Sequence, residues 1–345
     1  MKIVIAVEEF DVNKGYLEYH LAKELARLGN EVYVFTFGNK RSKANSTLCE
    51  GFTIIRFKVL IRAAGYSLTD YRTLIQVLSA LKKIRPSVIH CQPLDSPLSM
   101  FLIAFSKLFG YKIVGPILTQ LNLIFVPWSF KKKILFCLSK ILISSYLGKR
   151  SAMLFAKTSG LKKIIARSYG VSENKFKIIP LGTDISLYKY SRKARLVKRR
   201  ELNLSEKDIV IVYSGKVDSS KGLDILLRAL SPIIAQKSHV KLLLIGSGKE
   251  SYIHHLKSLT ASLELTDNVI FYPWVQKKDL PTLYSASDIA VWPGLSSISI
   301  VDAASIGLPL IIANVPVETF AIANKNGFTF PLGNIKELHK NLAIS

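Results

Sequence analysis

An α/β protein of two doubly wound domains is what this sequence predicts, and three observations predict it. The chain opens in a βαβ pattern, a second alternating series begins at Ile209 after a charged stretch, and 345 residues suit two domains of roughly 150–200 residues each. Strand–helix–strand units of this kind imply parallel sheets with right-handed crossovers.

The first strand is the apolar run Lys2–Val7. A helix over 16–28 follows, with Leu17, Leu21, Leu25 and Leu28 on one face and Gly29 closing it. Val32–Phe37 is the second strand. Ile54–Phe57 continues the series, Leu74–Ile84 is helical, and Ser87–His90 is a strand set between Pro86 and Pro93. Ser99–Phe109 reads as a helix stopped by Gly110, and Lys112–Leu118 as the next strand. Residues 124–150 mix aromatics with Lys131, Lys132 and Lys133 and then Ile and Leu at helical spacing. Two readings stand: an amphipathic helix in a bilayer interface, or a packing helix with a wet lysine face. Met153–Ala156, Leu161–Tyr169 and Lys177–Pro180 complete a first domain at 1–185. Residues 186–205 read as a charged linker. The second domain, 206–345, carries strands at Ile209–Tyr213, Lys241–Ile245, Val269–Tyr272, Ile289–Trp292 and Pro309–Ile312, alternating with helices.

The net charge of +24 lies in the first 200 residues, which hold 35 Lys and Arg against 11 acids. The remainder holds 13 of each, and no acid stands between Asp95 and Glu173. One-sided charge of this kind attracts anions such as phospholipid headgroups, a lipid-linked phosphate or nucleic acid. Nucleic acid is set aside because no base-reading or stacking motif accompanies the charge. No apolar run reaches the roughly 20 residues of a membrane span, and Met1–Val7 reads as a strand rather than a signal peptide. The expected location is cytoplasmic, with peripheral attachment to the cytoplasmic membrane face. Three scattered cysteines, Cys49, Cys91 and Cys137, suit neither a disulfide framework nor a thiolate metal site.

Ligands of open α/β sheets sit at the carboxyl ends of the strands. After Tyr213 comes SGKVDSSKG, where Gly215 lets backbone approach a ligand and Lys216 and Lys221 flank a helix entrance, an arrangement suited to a diphosphate. After Ile245 comes GSGKE. It fails as a phosphate-binding P-loop because Leu243 stands where the first glycine belongs and Glu250 replaces the hydroxyl; Gly246 instead leaves room for a nucleotide in a tight turn. Trp274 and Val275 follow a strand where they can flank a base. Ser297 and Ile298 lie in a small-residue turn ahead of a helix, and Asp302 within that helix is either a ribose acceptor or a buried capping partner. The first loop, EEFDVNKG, lacks the G-x-G-x-x-G of a dehydrogenase.

Taken together, YSGKVDSSKGLDILLRAL, LLLIGSGKE, VIFYPWVQKKDLPTLYSASDIAVWPG and SISIVDAASIGLPLIIAN closely resemble the donor domain of family-4 retaining glycosyltransferases of the GT-B fold. LAKELARLGNEVYVFT, PSVIHCQP and IIPLGTD are similar to that family's N-terminal domain. The resemblance implies two Rossmann-like domains facing across a cleft and a hexose moved from a nucleotide sugar to a glycan or lipid-linked acceptor. It implies no metal and no cofactor beyond the nucleotide-sugar co-substrate. Lys216 and Lys221 would neutralise the diphosphate, Ser297 and Ile298 would offer it backbone N–H groups, Asp302 would contact ribose, and Gly15 would let the first loop approach the diphosphate. His90, at a strand end, and Thr119 are acceptor-side candidates, His90 being equally readable as a structural histidine.

The chain departs from the family pattern where Gly294 replaces a sugar-holding Glu, Asp302 replaces Glu, Lys216 replaces Arg and Leu118 replaces His. The closing C-terminal helix also reads as shortened. A non-catalytic sugar-nucleotide-binding or partner subunit is therefore the alternative to an enzyme.

Overall fold

The computed structural model describes residues 1–12, 17–38, 45–63, 66–94, 96–116, 151–295, 297–315, 322 and 325–344. Gly15, Leu118, Thr119, Cys137 and the expected helix at 124–150 lie outside them. Two compact units divide at Ile179/Pro180.

The N-terminal unit is built on an eight-stranded sheet of order β10-β9-β8-β7-β1-β2-β4-β3. Its strands are β1 (Lys2–Val7), β2 (Glu31–Phe37), β3 (Asn45–Cys49), β4 (Phe52–Phe57), β7 (Val88–Gln92), β8 (Lys112–Pro116), β9 (Ser151–Ala156) and β10 (Phe176–Ile178). Every pairing is parallel except β3 with β4. β5 (Ile61–Ala63) and β6 (Tyr66–Leu68) form a separate hairpin. The central strand β1 is buried from Ile3 to Val7, as a parallel strand covered on both faces must be.

Helices α1 (Leu17–Arg27), α2 (Tyr71–Ile84), α3 (Pro97–Phe109) and α4 (Ser159–Tyr169) cover the sheet. α2 starts where the Asp70 carboxylate accepts from Thr73 N at 2.8 Å. α3 starts two residues earlier than the sequence suggests, because Ser96 caps it and Pro97 fits the first turn, where no N–H is needed. Burial pushes the Cys91 thiol up to about 12, so it stays protonated.

The C-terminal unit holds β11 (Ile209–Ser214), β12 (Val240–Ile245), β13 (Val269–Tyr272), β14 (Ile289–Trp292), β15 (Leu310–Asn314) and β16 (Gly327–Pro331), in the order β13-β12-β11-β14-β15-β16 and all parallel. Its helices are α5 (Arg192–Glu201), α6 (Leu223–Gln236), α7 (Glu250–Ser262), α8 (Leu280–Ser285), α9 (Ser299–Ser305) and α10 (Ile335–Ile344). α10 packs back on α6, where His339 Nδ1 donates to Ala229 O at 3.1 Å.

The segment 186–205, expected as a linker, contains α5, which is locked onto this unit. Arg199 is 1% exposed and its guanidinium donates to Ser205 O, Ala286 O, Asp208 O and Asp288 Oδ2. Arg195 reaches Asp288 Oδ1 at 2.8 Å, and Asp288 Oδ2 also accepts from Val210 N. Removing one partner of a buried pair leaves the other charge uncompensated. Asp288→Ala should therefore cost about 3–5 kcal/mol in denaturant unfolding of the unit.

Candidate functional site

Strand order places the site before any side chain is considered. From β11 the chain runs outward through β12 to β13, then returns to β14 on the other flank, so the sheet has its switch point between β11 and β14. In open α/β sheets ligands bind at the carboxyl ends of the strands beside such a switch point, so the loops leaving β11 and β14 there are the candidate site. They are Gly215–Gly222 after β11 and Pro293–Ile298 after β14.

The two loops are fastened to each other. Leu295 N donates to Ser220 O at 2.8 Å, and Lys221 Nζ donates to Leu295 O at 2.9 Å. A Cβ at Gly294 would lie 2.4 Å from both Lys221 C and Ser220 O, so only glycine permits this approach. Gly294 is thus fixed by the backbone of the neighbouring loop, a reason that its place in the sequence did not disclose. Behind them the third loop is as close: a Cβ at Gly246 would stand 1.9 Å from Gly215 O, while Val217 N donates to Ser247 O at 2.8 Å.

Beneath the loops lies a network that sequence reasoning missed. The Ser214 carbonyl accepts from Trp292 Nε1 at 3.0 Å and from Ser299 Oγ at 2.7 Å. Ser299 thereby spends its proton, so Ser297 Oγ, 2.6 Å away, is the donor to Ser299. Ser297 Oγ is also 3.2 Å from where a Cβ on Gly215 would be. Tyr213 OH donates to Lys216 O at 2.7 Å, and Tyr284 OH meets Ser214 Oγ. Burial pushes both phenols up, so both remain protonated hydrogen-bond donors at neutral pH. Serines and tyrosines at strand ends carry no spacing signal, which is why Ser214, Ser299, Tyr213 and Tyr284 were not legible beside the flanking glycines, lysines and Ser297.

Gly215, Gly246, Lys221 and Ser297 are therefore brought together, with Ile298 exposed at the entrance to α9. Lys216 is exposed and bridges Asp218 Oδ2 at 3.1 Å within its own loop. Burial acts to raise the Asp218 carboxyl, but bonds from Ser220 and Lys216 outweigh it and hold the group below its ordinary value. Asp302 is 5% exposed and accepts from Thr183 Oγ1 at 2.5 Å. Burial, with the Asp302 carboxylate beside it, pushes the Tyr188 phenol up. Trp274 stands 60% exposed after β13, and Val275 lines a cavity of about 370 Å³ with Tyr272, Asp279 and the Val197 and Lys198 face of α5.

In the N-terminal unit, His90 is not at a strand end as expected but is the middle residue of β7, which continues to Gln92, and it pairs with Ile5 of β1. Its Nε2 is 3.1 Å from Gln92 Oε1, and Gln92 Nε2 donates to Glu18. With the amide oriented by Glu18, the proton of neutral His90 belongs on Nε2. The ring stacks on Phe155 at 5.8 Å, and burial lowers its pKa from 6.5 although the Gln92 bond acts against that. The unfolded chain then binds the proton more readily than the folded one. Stability is full above about pH 6.5 and falls as acid is added below it, until the folded histidine is itself charged. Unfolding free energies measured across that range should show this slope, and His90→Gln should remove its His90 share.

Comparison with known proteins adds the following. Residues 18–187 match the family described as Glycosyltransferase Family 4, and residues 195–344 match Glycosyl transferases group 1. The chain is 29% identical over 187 residues to D-inositol 3-phosphate glycosyltransferase of Rhodococcus jostii, a match covering 52% of this chain and 40% of that protein. It therefore spans well under two thirds of that relative. Sucrose-phosphate synthase of Thermosynechococcus elongatus superposes with a TM-score of 0.77 at 17% identity, covering 100% of this chain and 89% of that one. Anabaena HepE, solved with UDP and glucose, gives 0.76 at 17% identity, covering 100% and 89%. These likenesses show the GT-B fold, two parallel-sheet α/β domains.

Proposed function

The chain belongs to the family-4, group 1 glycosyltransferases, and from that premise we propose that it moves a hexose from a nucleotide-sugar donor to an acceptor, retaining the anomeric configuration and using no metal. The observation that carries the reading is the fastening of the Gly215–Gly222 loop to the Pro293–Ile298 turn, with Lys221 at the join. A nucleoside diphosphate seated on these loops meets the Lys221 ammonium, with Lys216 released from Asp218 as a second cation. As the sugar–phosphate bond breaks, negative charge grows on the diphosphate, and fixed cations and N–H dipoles stabilise it more than they stabilise the ground state. Ser297 Oγ, its proton committed to Ser299, faces the ligand as an acceptor, suited to a sugar or ribose hydroxyl. UDP is the first nucleotide to try, since HepE was solved with it.

The basic N-terminal unit serves the acceptor, for which a lipid-linked glycan at an anionic membrane surface fits its charge. No helix of the described residues is long and apolar enough to cross a membrane.

The test is incubation with labelled UDP-, GDP-, ADP- and dTDP-hexoses in EDTA, with the anomeric form of the product read by NMR. Turnover of one donor in EDTA with retained configuration is expected. Inversion, or dependence on added divalent metal, would contradict the proposed chemistry. Saturable binding without turnover would favour the non-catalytic alternative, for which the glycine at 294 is the specific argument.

A further inference from the structure

One face of the N-terminal unit is unusually apolar for a surface. Leu60, Ile61, Leu68, Tyr71 and Ile75 are each between 48% and 66% exposed. They are neighbours: Ile61 pairs with Leu68 across the β5–β6 hairpin, Leu60 N donates to Leu68 O at 2.9 Å, and Tyr71 and Ile75 are four apart on α2. Contiguous apolar surface of this kind marks a contact with something else.

The same face opens on a cavity of about 240 Å³ lined by Phe37, Leu68, Leu74, Val77, Leu98 and Phe101, with Ser67 and Thr69 at its edge. The polar groups there are turned elsewhere. Ser67 N donates to Glu8 Oε2 at 2.7 Å and Thr69 Oγ1 to Lys58 O at 2.8 Å. A ligand rich in hydroxyls would find few partners inside, whereas hydrocarbon fits the lining.

Two cations accompany this face. Lys58 and Arg72 are exposed and both act on Asp70, whose carboxylate is already taken by the first turn of α2. Across residues 51–116 there are nine Lys and Arg and two acids. Exposed apolar side chains with cations beside them on a basic segment match a leaflet of anionic lipid, in which the apolar groups enter the acyl boundary and the cations stay at the phosphates.

We propose that this face docks on an anionic phospholipid membrane, Leu60, Ile61, Leu68, Tyr71 and Ile75 entering the interface and the cavity taking the end of one acyl chain. The idea deepens the membrane-surface reading above by assigning residues to it. Leu74 at the cavity wall and Leu68 at the rim link the two parts.

The test is co-sedimentation of the full chain with vesicles of pure phosphatidylcholine or of phosphatidylcholine with 30% phosphatidylglycerol, with UDP binding measured in the same samples. Wild type should bind the anionic vesicles, less so at high salt. Combined Leu68→Ser, Tyr71→Ser and Ile75→Ser should lower that binding by about tenfold or more, and Lys58→Ser with Arg72→Ser by at least as much on anionic vesicles only. Leu74→Phe, which fills the cavity, should weaken vesicle binding several-fold while leaving the melting temperature equal or higher. UDP binding should not change in any of these variants, so loss of the docking face is distinguishable from failure of the transferase reading. Vesicle binding by the rim and charge variants at wild-type strength would overturn the proposal. So would a wild type that binds neither vesicle, or one that self-associates through this face instead.

Discussion

Lys221→Ala should lower sugar transfer by about 10²–10³-fold while leaving the C-terminal unit folded, because under the proposed function it removes a cation that would meet charge developing on the departing diphosphate. The same side chain also ties two loops together through Leu295 O, so a purely structural role has to be separated from an electrostatic one. Its hydrogen bond alone accounts for about 1 kcal/mol of stability, far short of unfolding the unit. Lys221→Gln provides the separation, since it keeps an N–H donor but no charge. If the loss is electrostatic, both variants fall together in kcat while their melting temperatures stay close to that of wild type. Near-normal kcat in Lys221→Gln would assign the residue to loop positioning.

The second large effect runs against what family resemblance suggests. Restoring an acid with Gly294→Glu should abolish activity rather than improve it, and should destabilise the unit by about 3 kcal/mol or more. The Cβ alone would penetrate the Ser220–Lys221 backbone, which is flanked by its own bond to Leu295 and cannot yield without parting the two loops. Gly294→Ala carries the same Cβ without the carboxylate, so it should share most of the stability loss. A stable and more active Gly294→Glu enzyme would refute the proposed fixing of these loops.

Strands buried on both faces were legible because continuous apolar runs leave few alternatives; the expected bounds of β1 and β14 coincide with those observed, as do those of the apolar edge strand β13. β3 was missed because Asn45–Leu48 on an exposed edge shows neither alternation nor an apolar run. β5 and β6 are three residues each, too short for a period to register. α5 was read as linker because its buried face is an arginine, made tolerable in part by Ala286 O and the Asp288 carboxylate, which are distant in sequence and which no local pattern reveals. At the candidate site, the glycines and Lys221 marked out the two loops that the structure joins. What the sequence could not announce is the polarity of the hydroxyl chain from Ser297 to Ser214, or that Asp302 is engaged by Thr183, 119 residues earlier in the chain.

Hydrogen exchange of the intact chain reads directly whether a nucleoside diphosphate sits on the proposed site. With saturating UDP, GDP, ADP or dTDP, at least one nucleotide should slow amide exchange in residues 215–222 and 297–300 together. Exchange unchanged in both segments with all four nucleotides, or slowed only elsewhere, would contradict that placement.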